Sequence, residues 1–375
     1  MSDSKKILFV ANVAKEHINK FHIPTINYFK ENGWEVHVAC SGDARVPGCD
    51  KQYDMCWKRS PFTYKTLKGL RNLKKIIKSE KYDIIYCHTP VGGLVARLAA
   101  RSSRKHGTKV VYCAHGLHFY KGAPLINWLL YYPLEKIMAK FTDCFITINK
   151  EDYDRVRNNF NKKLEVRLIP GIGVNFERLK IENSNEVRKK YRENFGVTDN
   201  TTVLIYVAEL LKNKNQQMLI NTLKLLVDRG EDVLLVLPGP DHANGELQKY
   251  ADKMGVNDYV KFLGWRSDIG ELLYASDICV ASSIREGFGI NLVEAMYCNL
   301  PVVAVINRGH KMIIDDGENG FLVELDDFKT MVDKIELLIH DDSVKAKMSH
   351  SDVSKYDCNV VAKNIYDIIS EMRIL

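Results

Sequence analysis

Residues 278–296 read ICVASSIREGFGINLVEAM. They open with an apolar run of strand length, Ile278–Ala281, pass through a polar turn that holds two glycines, and close on a mainly apolar helical segment. A buried strand followed by a glycine-containing turn and a helix is the building unit of parallel α/β sheets. We expect the helix to begin near Gly289, which leaves Glu286 in the loop before it and places Glu294 in its first two turns.

Apolar runs of this kind, rich in Val, Ile, Phe and Tyr, recur along the chain with helical segments between them. They form two sets of six. The first set is Ile7–Val10, Val36–Ala39, Ile84–Cys87, Val110–Cys113, Cys144–Ile148 and Val166–Ile169. The second set is Val203–Val207, Val233–Leu237, Val260–Leu263, Ile278–Ala281, Pro301–Val305 and Phe321–Val323. The pattern predicts the α/β class, with two doubly wound, Rossmann-like domains facing each other across a cleft.

The domain boundaries follow from the gap between the two sets. Pro170–Gly173 and the charged helix-like stretch 186–193 resemble an interdomain connection. We therefore assign residues 1–170 to the first domain, 171–355 to the second, and 356–375 to a C-terminal amphipathic helix that packs back on the first.

Length and composition are those of a globular chain that folds throughout: 375 residues, 46% hydrophobic and 27% charged. No apolar run approaches the roughly 18 residues that span a bilayer, and the opening MSDSKK lacks the apolar core of a signal peptide. A cytoplasmic protein is expected. The nine cysteines show no metal-ligand spacing, and four of them, Cys87, Cys113, Cys144 and Cys279, lie in apolar runs. Reduced core cysteines are therefore predicted, without a structural zinc or a disulfide framework.

Charge differs in sign between the two halves. Residues 1–170 hold 30 Lys and Arg against 15 Asp and Glu, a net charge of +15, whereas the remainder holds 24 against 32, a net charge of −8. Such asymmetry suggests that the first half faces an anionic partner, such as a membrane surface, a lipid phosphate or nucleic acid. A solvated, lysine-rich surface explains the asymmetry equally well.

The turn before the predicted helix at Gly289 suits a phosphate group. Backbone N–H groups of Phe288, Gly289 and Ile290 would point at an anion, helped by the helix dipole. Two carboxylates beside a diphosphate would repel it, so Glu294 and Glu286 are expected to accept hydrogen bonds from ribose and sugar hydroxyls instead. Acidic residues that merely favour a helix N-terminus are an equally good explanation on spacing alone.

The spacing of Glu286 and Glu294, with Glu-Gly-Phe-Gly between strand and helix, resembles family 4 glycosyltransferases of the GT-B fold, and within them the capsular and exopolysaccharide branch. The similarity covers nearly the whole chain. It includes the segments PGIGV (170–174), FLGW (262–265), ASDI (275–278) and DGENGFLV (316–323). The resemblance implies that the second domain binds a nucleotide-sugar donor, expected to be a UDP-hexose or UDP-N-acetylhexosamine, and that the first binds an acceptor.

The resemblance also implies roles for individual residues. Glu294 would bind the ribose, Glu286 would bind the donor sugar as a catalytic-site residue, and Lys214 would neutralise the leaving diphosphate. Further donor contacts would come from Gly287, Phe288, Gly289, Ile290, Trp265 and Arg266. The family's usual arginine after the first donor-domain strand is replaced by Glu209, so Lys214 would act alone or with Arg308, which is otherwise an ordinary loop charge.

Histidines mark the first domain. His115 follows the strand Val110–Cys113 and resembles the histidine that family members place near the reacting sugar, although a structural histidine is a serious alternative. His88, His17, His22 and His118 are further acceptor-side candidates. The segment after the first strand lacks the family's paired glycines, which leaves acceptor geometry open and argues against a Rossmann dehydrogenase.

Retention of anomeric configuration is implied by the resemblance, with the departing phosphate oxygen deprotonating the acceptor. No carboxylate pair supports a glycosidase-type double displacement. No cofactor is expected, and no metal either, since the sequence has no DxD-type cluster.

Two segments bear on the acceptor and its location. Residues 65–78 combine an apolar stripe with cations, and residues 124–133 are apolar and aromatic. Each suits an anionic membrane surface, although a crossover helix and a core helix, respectively, are favoured. With the net charge they make a polyprenyl-diphosphate-linked saccharide a plausible acceptor, for a protein held peripherally on the inner face of the cell membrane.

Two other functions fit the same pattern. A UDP-sugar 2-epimerase shares the two-domain fold and needs no acceptor, and a non-catalytic nucleotide-sugar-binding partner of a membrane assembly would explain Glu209. Nucleic-acid binding is not expected, because the basic residues are not interleaved with a recognition motif.

Overall fold

In the computed structural model, residues 5–58, 60–61 and 63–372 are described. The opening residues 1–4 and the expected end of the C-terminal helix, 373–375, lie outside the described residues. The chain divides into two compact units. The first comprises Met1–Gly173 together with Lys355–Leu375, and the second comprises Val174–Ser354.

Each unit is built on one parallel sheet. The first sheet contains β1(Lys6–Val13), β2(Glu35–Ser41), β3(Lys51–Asp54), β4(Ile84–His88), β5(Lys109–Ala114), β6(Cys144–Thr147) and β7(Glu165–Leu168). The second contains β8(Thr202–Ile205), β9(Val233–Pro238), β10(Val260–Gly264), β11(Ile278–Ala281), β12(Val302–Val305) and β13(Phe321–Val323). All twelve predicted strands are present. The additional strand, β3, is short and polar and has no buried residue, so it lacks the apolar run that reveals the others.

Helices connect the strands on both faces. In chain order they are α1(Asn19–Phe21), α2(Ile23–Glu31), α3(Tyr64–Glu80), α4(Pro90–Ala100), α5(Leu125–Met138), α6(Lys150–Asn159), α7(Ser184–Phe195), α8(Gln216–Asp228), α9(Glu246–Met254), α10(Ile269–Ala275), α11(Ile290–Tyr297), α12(Phe328–His340), α13(Asp342–Ser349) and α14(Cys358–Glu371). Within the described part of the chain, none of them has the length and apolarity required to cross a membrane.

The strand order of the second sheet matches that of the first, which has one further strand, β7, at its edge. The first runs β3-β2-β1-β4-β5-β6-β7 and the second runs β10-β9-β8-β11-β12-β13, with every pairing parallel. The order reverses between β1 and β4 in the first unit and between β8 and β11 in the second. In open α/β sheets, ligands bind beyond the carboxyl ends of the strands at such a reversal. Two places on the molecule therefore stand out before any side chain is considered.

The C-terminal helix belongs to the first unit. α14 packs on α2, where the ring of Tyr366 lies 5.3 Å from that of Tyr28 and 5.1 Å from that of Phe29. The chain thus returns to its first unit after the second is complete.

A buried ion pair lies inside the first unit. Arg97 on α4 is fully buried and donates two hydrogen bonds, of 2.7 and 3.1 Å, to the carboxylate of Glu135 on α5. Its guanidinium also stacks 4.0 Å from the ring centre of Tyr112. The nine cysteines are free thiols, and the four singled out from the sequence are buried, as predicted.

Candidate functional site

The reversal between β8 and β11 brings two predicted residues together. Lys214 ends a short 3-10 helix, Lys212–Lys214, that follows β8, and Glu286 lies in the loop after β11. Their side chains form an ion pair with Nζ 2.5 Å from Oε1, and both are mostly shielded from solvent. The pairing joins residues 72 positions apart because the carboxyl ends of neighbouring parallel strands meet at one edge of the sheet.

A chain of hydroxyls ends on the same carboxylate oxygen of Glu286. The Ser283 hydroxyl donates to Oε1 of Glu286 at 2.6 Å, and the Tyr206 hydroxyl lies 2.6 Å from Ser283 Oγ. Tyr206 and Ser283 are buried, and burial raises the pKa of Tyr206 well above its ordinary value, so the phenol stays neutral. Oε1 of Glu286 therefore accepts from a cation and from a neutral hydroxyl, which together orient the carboxylate.

The loop after β12 is tied to the same region. Asn307 donates to the Ser283 carbonyl at 3.0 Å and accepts from the backbone N–H groups of Gly309 and His310 at 3.0 and 2.9 Å. His310 is fully buried, with Nδ1 2.6 Å from the Val305 carbonyl oxygen. Desolvation lowers the pKa of His310 to about 4. The ring is therefore neutral at physiological pH. Because a carbonyl oxygen can only accept, the proton of this neutral ring lies on Nδ1, which donates to Val305.

Close backbone approach explains the glycine in this loop. A Cβ atom on Gly309 would lie 2.3 Å from the Phe288 carbonyl oxygen and 2.8 Å from Glu286 Cβ, so any larger residue would separate the two loops. The neighbouring Arg308 donates from Nε to the Glu286 carbonyl at 3.4 Å. The structure thus brings Arg308 to the same edge as Lys214.

Glu209 follows β8 but does not join the Lys214–Glu286 pair in the contacts described. Its side chain is half exposed, with Oε2 4.0 Å from Nε2 of His242, and its backbone carbonyl accepts a hydrogen bond of 2.9 Å from Gln216. The residue that replaces the family's arginine therefore points to a solvent-accessible position.

Glu294 has a partner that the sequence did not indicate. It lies on α11 and is almost fully buried, and its carboxylate pairs with the half-exposed guanidinium of Arg178. Arg178 belongs to a 3-10 helix, Phe176–Leu179, 116 positions earlier in the chain. The two predicted carboxylates, Glu286 and Glu294, are thus each matched by a cation.

The turn into α11 begins as predicted. Gly289 adopts φ +125°, which favours glycine, and α11 starts at the next residue, Ile290. Phe288 is buried and Gly287 is half-buried. The helix N-terminus therefore opens directly after the loop that carries Glu286.

Trp265 and Arg266 follow β10, which lies two strands from β8 in the sheet. The Trp265 side chain is 72% exposed, so an aromatic surface is available there. Arg266 is engaged, since its Nε donates to Asp268 at 2.8 Å. The structure does not bring these two residues into contact with Glu286.

The first unit gathers histidines at its own reversal. His17 and His22 follow β1, His88 ends β4 and His115 directly follows β5. His17 Nε2 and His22 Nε2 are 3.2 Å apart, and His115 Nε2 and His88 Nδ1 are 3.3 Å apart. We call these four residues the histidine cluster. The fifth candidate, His118, is not a member, because its ring packs against Tyr131 with a centroid distance of 4.7 Å.

Desolvation dominates the electrostatics of the histidine cluster. It lowers the pKa of His17 to about 4 and the pKa values of His22, His88 and His115 well below the ordinary histidine value. The rings are therefore neutral at physiological pH. The Nε2 atom of His115 faces another imidazole, so it is not positioned as an isolated donor toward a sugar.

Sequence reasoning missed several polar residues at these edges. Ser283 and Asn307 follow β11 and β12 closely, and that position alone could have marked them. Tyr206 directly follows β8 and had the same positional signal, whereas Arg178 carried no local signal, because its role comes from a contact with a distant part of the chain.

Comparison with known proteins supplies the family. Residues 187–352 match the family model described as glycosyl transferases group 1, and residues 6–149 match the one described as glycosyl transferase 4-like. EpsD of Bacillus subtilis (strain 168), by name a glycosyltransferase, is 47% identical over 337 residues, which are 90% of this chain and 88% of EpsD. The chain belongs to this family of glycosyltransferases, and the predicted family and enzyme class are confirmed.

Two further relatives carry more specific names. The UDP-Gal:alpha-D-GlcNAc-diphosphoundecaprenol alpha-1,3-galactosyltransferase of Escherichia coli is 29% identical, covering 76% of this chain and 73% of that protein. The capsular polysaccharide biosynthesis glycosyltransferase CapM of Staphylococcus aureus is 25% identical, covering 92% of this chain and 91% of CapM.

Solved structures confirm the GT-B fold class. The crystal structure of HepE from Anabaena in complex with UDP and glucose matches with a TM-score of 0.79 at 22% identity. The match covers 98% of this chain and 100% of that chain.

Proposed function

We propose that the protein is a retaining glycosyltransferase that moves a sugar from a UDP-linked donor to a lipid-linked saccharide in surface polysaccharide synthesis. The observation that carries the proposal is the Lys214–Glu286 pair at the β8/β11 reversal, held beside the N-terminus of α11. A cation, an oriented carboxylate and a helix N-terminus together suit a sugar diphosphate, whose charge is negative and whose sugar carries hydroxyl donors.

Charge matching supports this donor site. Two unpaired carboxylates would repel a diphosphate, but Glu286 is paired with Lys214 and Glu294 with Arg178. A ribose hydroxyl would donate to Glu294 and a hydroxyl of the donor sugar would donate to Glu286. Neither interaction requires the carboxylates to approach phosphate oxygens.

Arg308 supplies the second cation in this proposal. The family's usual arginine position holds Glu209, whereas Arg308 contacts the Glu286 backbone from the loop after β12. A cation about 4 Å from a phosphate oxygen is worth about 4 kcal/mol at an effective dielectric of 20. Lys214 and Arg308 would stabilise the charge that develops on the leaving diphosphate, and the transfer itself would need no cofactor.

Retention follows if the acceptor attacks on the face from which the diphosphate departs. The bond between the anomeric carbon and the diphosphate oxygen breaks, a bond to the acceptor oxygen forms, and the acceptor proton passes to the departing phosphate oxygen. Protein side chains hold both substrates and stabilise charge, without forming a covalent intermediate.

The acceptor class is supported by the relatives. The galactosyltransferase of E. coli is named for a diphosphoundecaprenol-linked acceptor and for UDP-Gal, and CapM is named for capsular polysaccharide biosynthesis. We infer the same chemical class here, a polyprenyl-diphosphate-linked saccharide, with a phosphate-rich, lipid-bearing end.

A membrane contact in the first unit would serve such an acceptor. The sequence favours a core helix at residues 124–133, but α5 buries only part of this segment: Leu125, Ile126, Leu129 and Leu130 are 81, 56, 71 and 58% exposed. An exposed aliphatic helix face suits the headgroup boundary of a bilayer. By contrast, α3 is a crossover helix that packs against the core, in line with the favoured interpretation of residues 65–78.

The decisive assay is mass spectrometry of products after incubation with a panel of uridine and guanosine nucleotide sugars and short-chain polyprenyl-diphosphate saccharides. Transfer from a uridine donor to a lipid-linked acceptor is expected, with an axial or equatorial linkage matching that of the donor. Donor conversion without acceptor would instead indicate an epimerase. Binding without turnover across the panel would indicate a non-catalytic partner.

Membrane binding is tested by sedimentation with vesicles that contain an anionic phospholipid. We expect the protein to bind at low salt and to be released by high salt or carbonate, and Leu125→Glu/Leu129→Glu to abolish binding. Leu325→Glu in the second unit, where Leu325 is 43% exposed, is the matched control. Wild-type protein that stays in solution at low salt would contradict membrane association.

A further inference from the structure

The histidine cluster lies where three central strands of the first sheet end. β1, β4 and β5 are neighbours in the sheet, and His88 pairs in register with Cys113, two residues before His115. His17 and His22 come from the segment after β1. The fold therefore brings four imidazoles from separate parts of the chain to one point. The glycosyltransferase function proposed above does not require this arrangement.

The ring nitrogens are close enough to share one ion. One nitrogen from each of the four histidines lies within 4.8 Å of one nitrogen from every other. A zinc ion with Zn–N bonds of 2.0–2.1 Å in tetrahedral geometry sets its ligand nitrogens about 3.3 Å apart. The His17–His22 and His88–His115 nitrogen pairs, at 3.2 and 3.3 Å, already have that spacing. Closing the remaining separations needs movements of under about 1 Å per ring.

The chemical state of the rings also fits a metal. Metals bind neutral imidazole, and the buried environment favours that form. His88 is completely buried, and its Nδ1 atom is the nitrogen that lies beside His115 Nε2. A bound ion would account for convergence of the rings and would fix which nitrogen of each ring carries its proton.

The backbone around the cluster is unusual in two places. His17 lies in a π-helical segment, Ala14–Ile18, directly after β1, and such segments are frequent at functional sites. Thr89, which follows His88, adopts φ +62°, a strained conformation for a residue other than glycine. Both irregularities lie in the segments that carry His17 and His88.

We propose that the histidine cluster is a metal site for a divalent ion that prefers nitrogen ligands, with Zn²⁺ as the expected occupant. Four imidazoles and no carboxylate suit zinc, copper, nickel or cobalt rather than magnesium or calcium. Four protein ligands leave no position for a reacting water, so the ion is structural. It ties the segment that follows β1 to the ends of β4 and β5, at the edge where this sheet would receive a ligand.

A second group of potential ligands in the same unit lacks these features. Glu35, His37 and Glu80 also lie close together, but lysines already neutralise the carboxylates: Lys6 lies 3.1 Å from Glu35 and Lys51 lies 2.8 Å from Glu80. The histidine cluster has no such lysine or arginine in its described contacts. It is therefore the better candidate in this unit.

The test starts with the full chain, stripped with a chelator and returned to chelator-free buffer. Zn²⁺ is then titrated calorimetrically, and Co²⁺ is added to a separate sample as a spectroscopic probe. One Zn²⁺ per chain, the intense visible bands of four-coordinate Co²⁺, and a higher melting temperature with Zn²⁺ than without it are expected. These readouts need no variant, no donor and no acceptor, so they are independent of the proposed function.

Variants then assign the ligands. His17→Gln and His115→Gln should each weaken Zn²⁺ binding by at least about a hundredfold, the upper end of what loss of an outer-shell partner costs. His106→Gln changes an exposed histidine of the same unit and should bind Zn²⁺ as the wild type does. Wild-type protein that takes up no stoichiometric Zn²⁺ and gives no Co²⁺ spectrum would overturn the proposal, and so would His17→Gln and His115→Gln variants with unchanged affinity. The cluster would then be a network of hydrogen-bonded neutral imidazoles.

Discussion

Replacing Glu286 by Gln is the sharpest test of the donor site, because it removes one charge and leaves the shape of the side chain almost unchanged. In the protein, Oε1 of Glu286 accepts from both Lys214 Nζ and Ser283 Oγ, at 2.5 and 2.6 Å. Hydrogen bonds to charged groups contribute about 1.5–3 kcal/mol each. The pair is only about one-fifth exposed, so solvent screening reduces this value only in part.

If a hydroxyl of the donor sugar donates to the Glu286 carboxylate in the transition state, Glu286→Gln replaces that hydrogen bond to a charged group, of the same class of about 1.5–3 kcal/mol, by a neutral one. At 1.36 kcal/mol per factor of ten, a loss of about 1.4–3 kcal/mol lowers turnover roughly tenfold to a hundredfold. The assay follows UDP release and glycosylated acceptor over a range of donor concentrations. Donor binding without acceptor, measured calorimetrically, separates weaker binding from slower transfer.

The matched control is Glu318→Gln. Glu318 also pairs with a lysine in the second unit, Lys347 at 3.0 Å, but its side chain is 73% exposed and the loop lies outside the proposed site. This exposed pair contributes less than about 1 kcal/mol, so turnover should not change. A folded Glu286→Gln protein that turns over within twofold of wild type would refute the assignment of Glu286 to the donor site.

Three further predictions concern stability. Arg97→Met leaves the Glu135 carboxylate buried without its cation and should reduce the free energy of unfolding by about 3–5 kcal/mol. The double variant Arg97→Met/Glu135→Leu should recover much of that loss, because it removes the buried charge as well. Denaturant unfolding measures both variants, and an Arg97→Met protein as stable as wild type would contradict the prediction. The folded-state pKa of His310 is about 4, below the ordinary 6.5, so its contribution to stability is complete above pH 6.5 and falls by up to about 3 kcal/mol as the pH drops toward 4. His310→Gln should therefore flatten the pH dependence of the free energy of unfolding between pH 6.5 and 4. The exposed control His350→Gln should leave that pH dependence unchanged. Tyr206→Phe removes a buried hydroxyl from its serine partner and should lower the free energy of unfolding by about 1 kcal/mol with a corresponding fall in melting temperature; no change would mean that the hydroxyl pair adds nothing to stability.

The sequence revealed most of the framework. Every apolar run chosen as a strand contains a strand, and the central strands β4, β11 and β12 are apolar because they are buried along their whole length between helices on both faces. β3 was not predicted, because it is a short, polar strand at the edge of its sheet and has no apolar run. The start of α11 at Ile290 was also predictable, since Gly289 and the preceding loop residues supply a local signal.

The candidate sites were only partly predictable. The order of residues along the chain indicated that Lys214 and Glu286 follow strands, but it could not state that those strands are neighbours. Glu209 and Arg308 show the same limit, because the resemblance assigned them by position and only the folded loops show which one lies beside Glu286.

What the sequence determined by itself was local: the class of each element, the loop that carries Glu286, and the family to which the chain belongs. The tertiary structure decided which distant groups share a site. Arg178 neutralises Glu294 across 116 positions, and the histidine cluster forms from three strand ends. The physical reason is that hydrophobic periodicity acts over a few residues, whereas ion pairs and side-chain clusters depend on distances of a few ångströms that only the folded chain establishes.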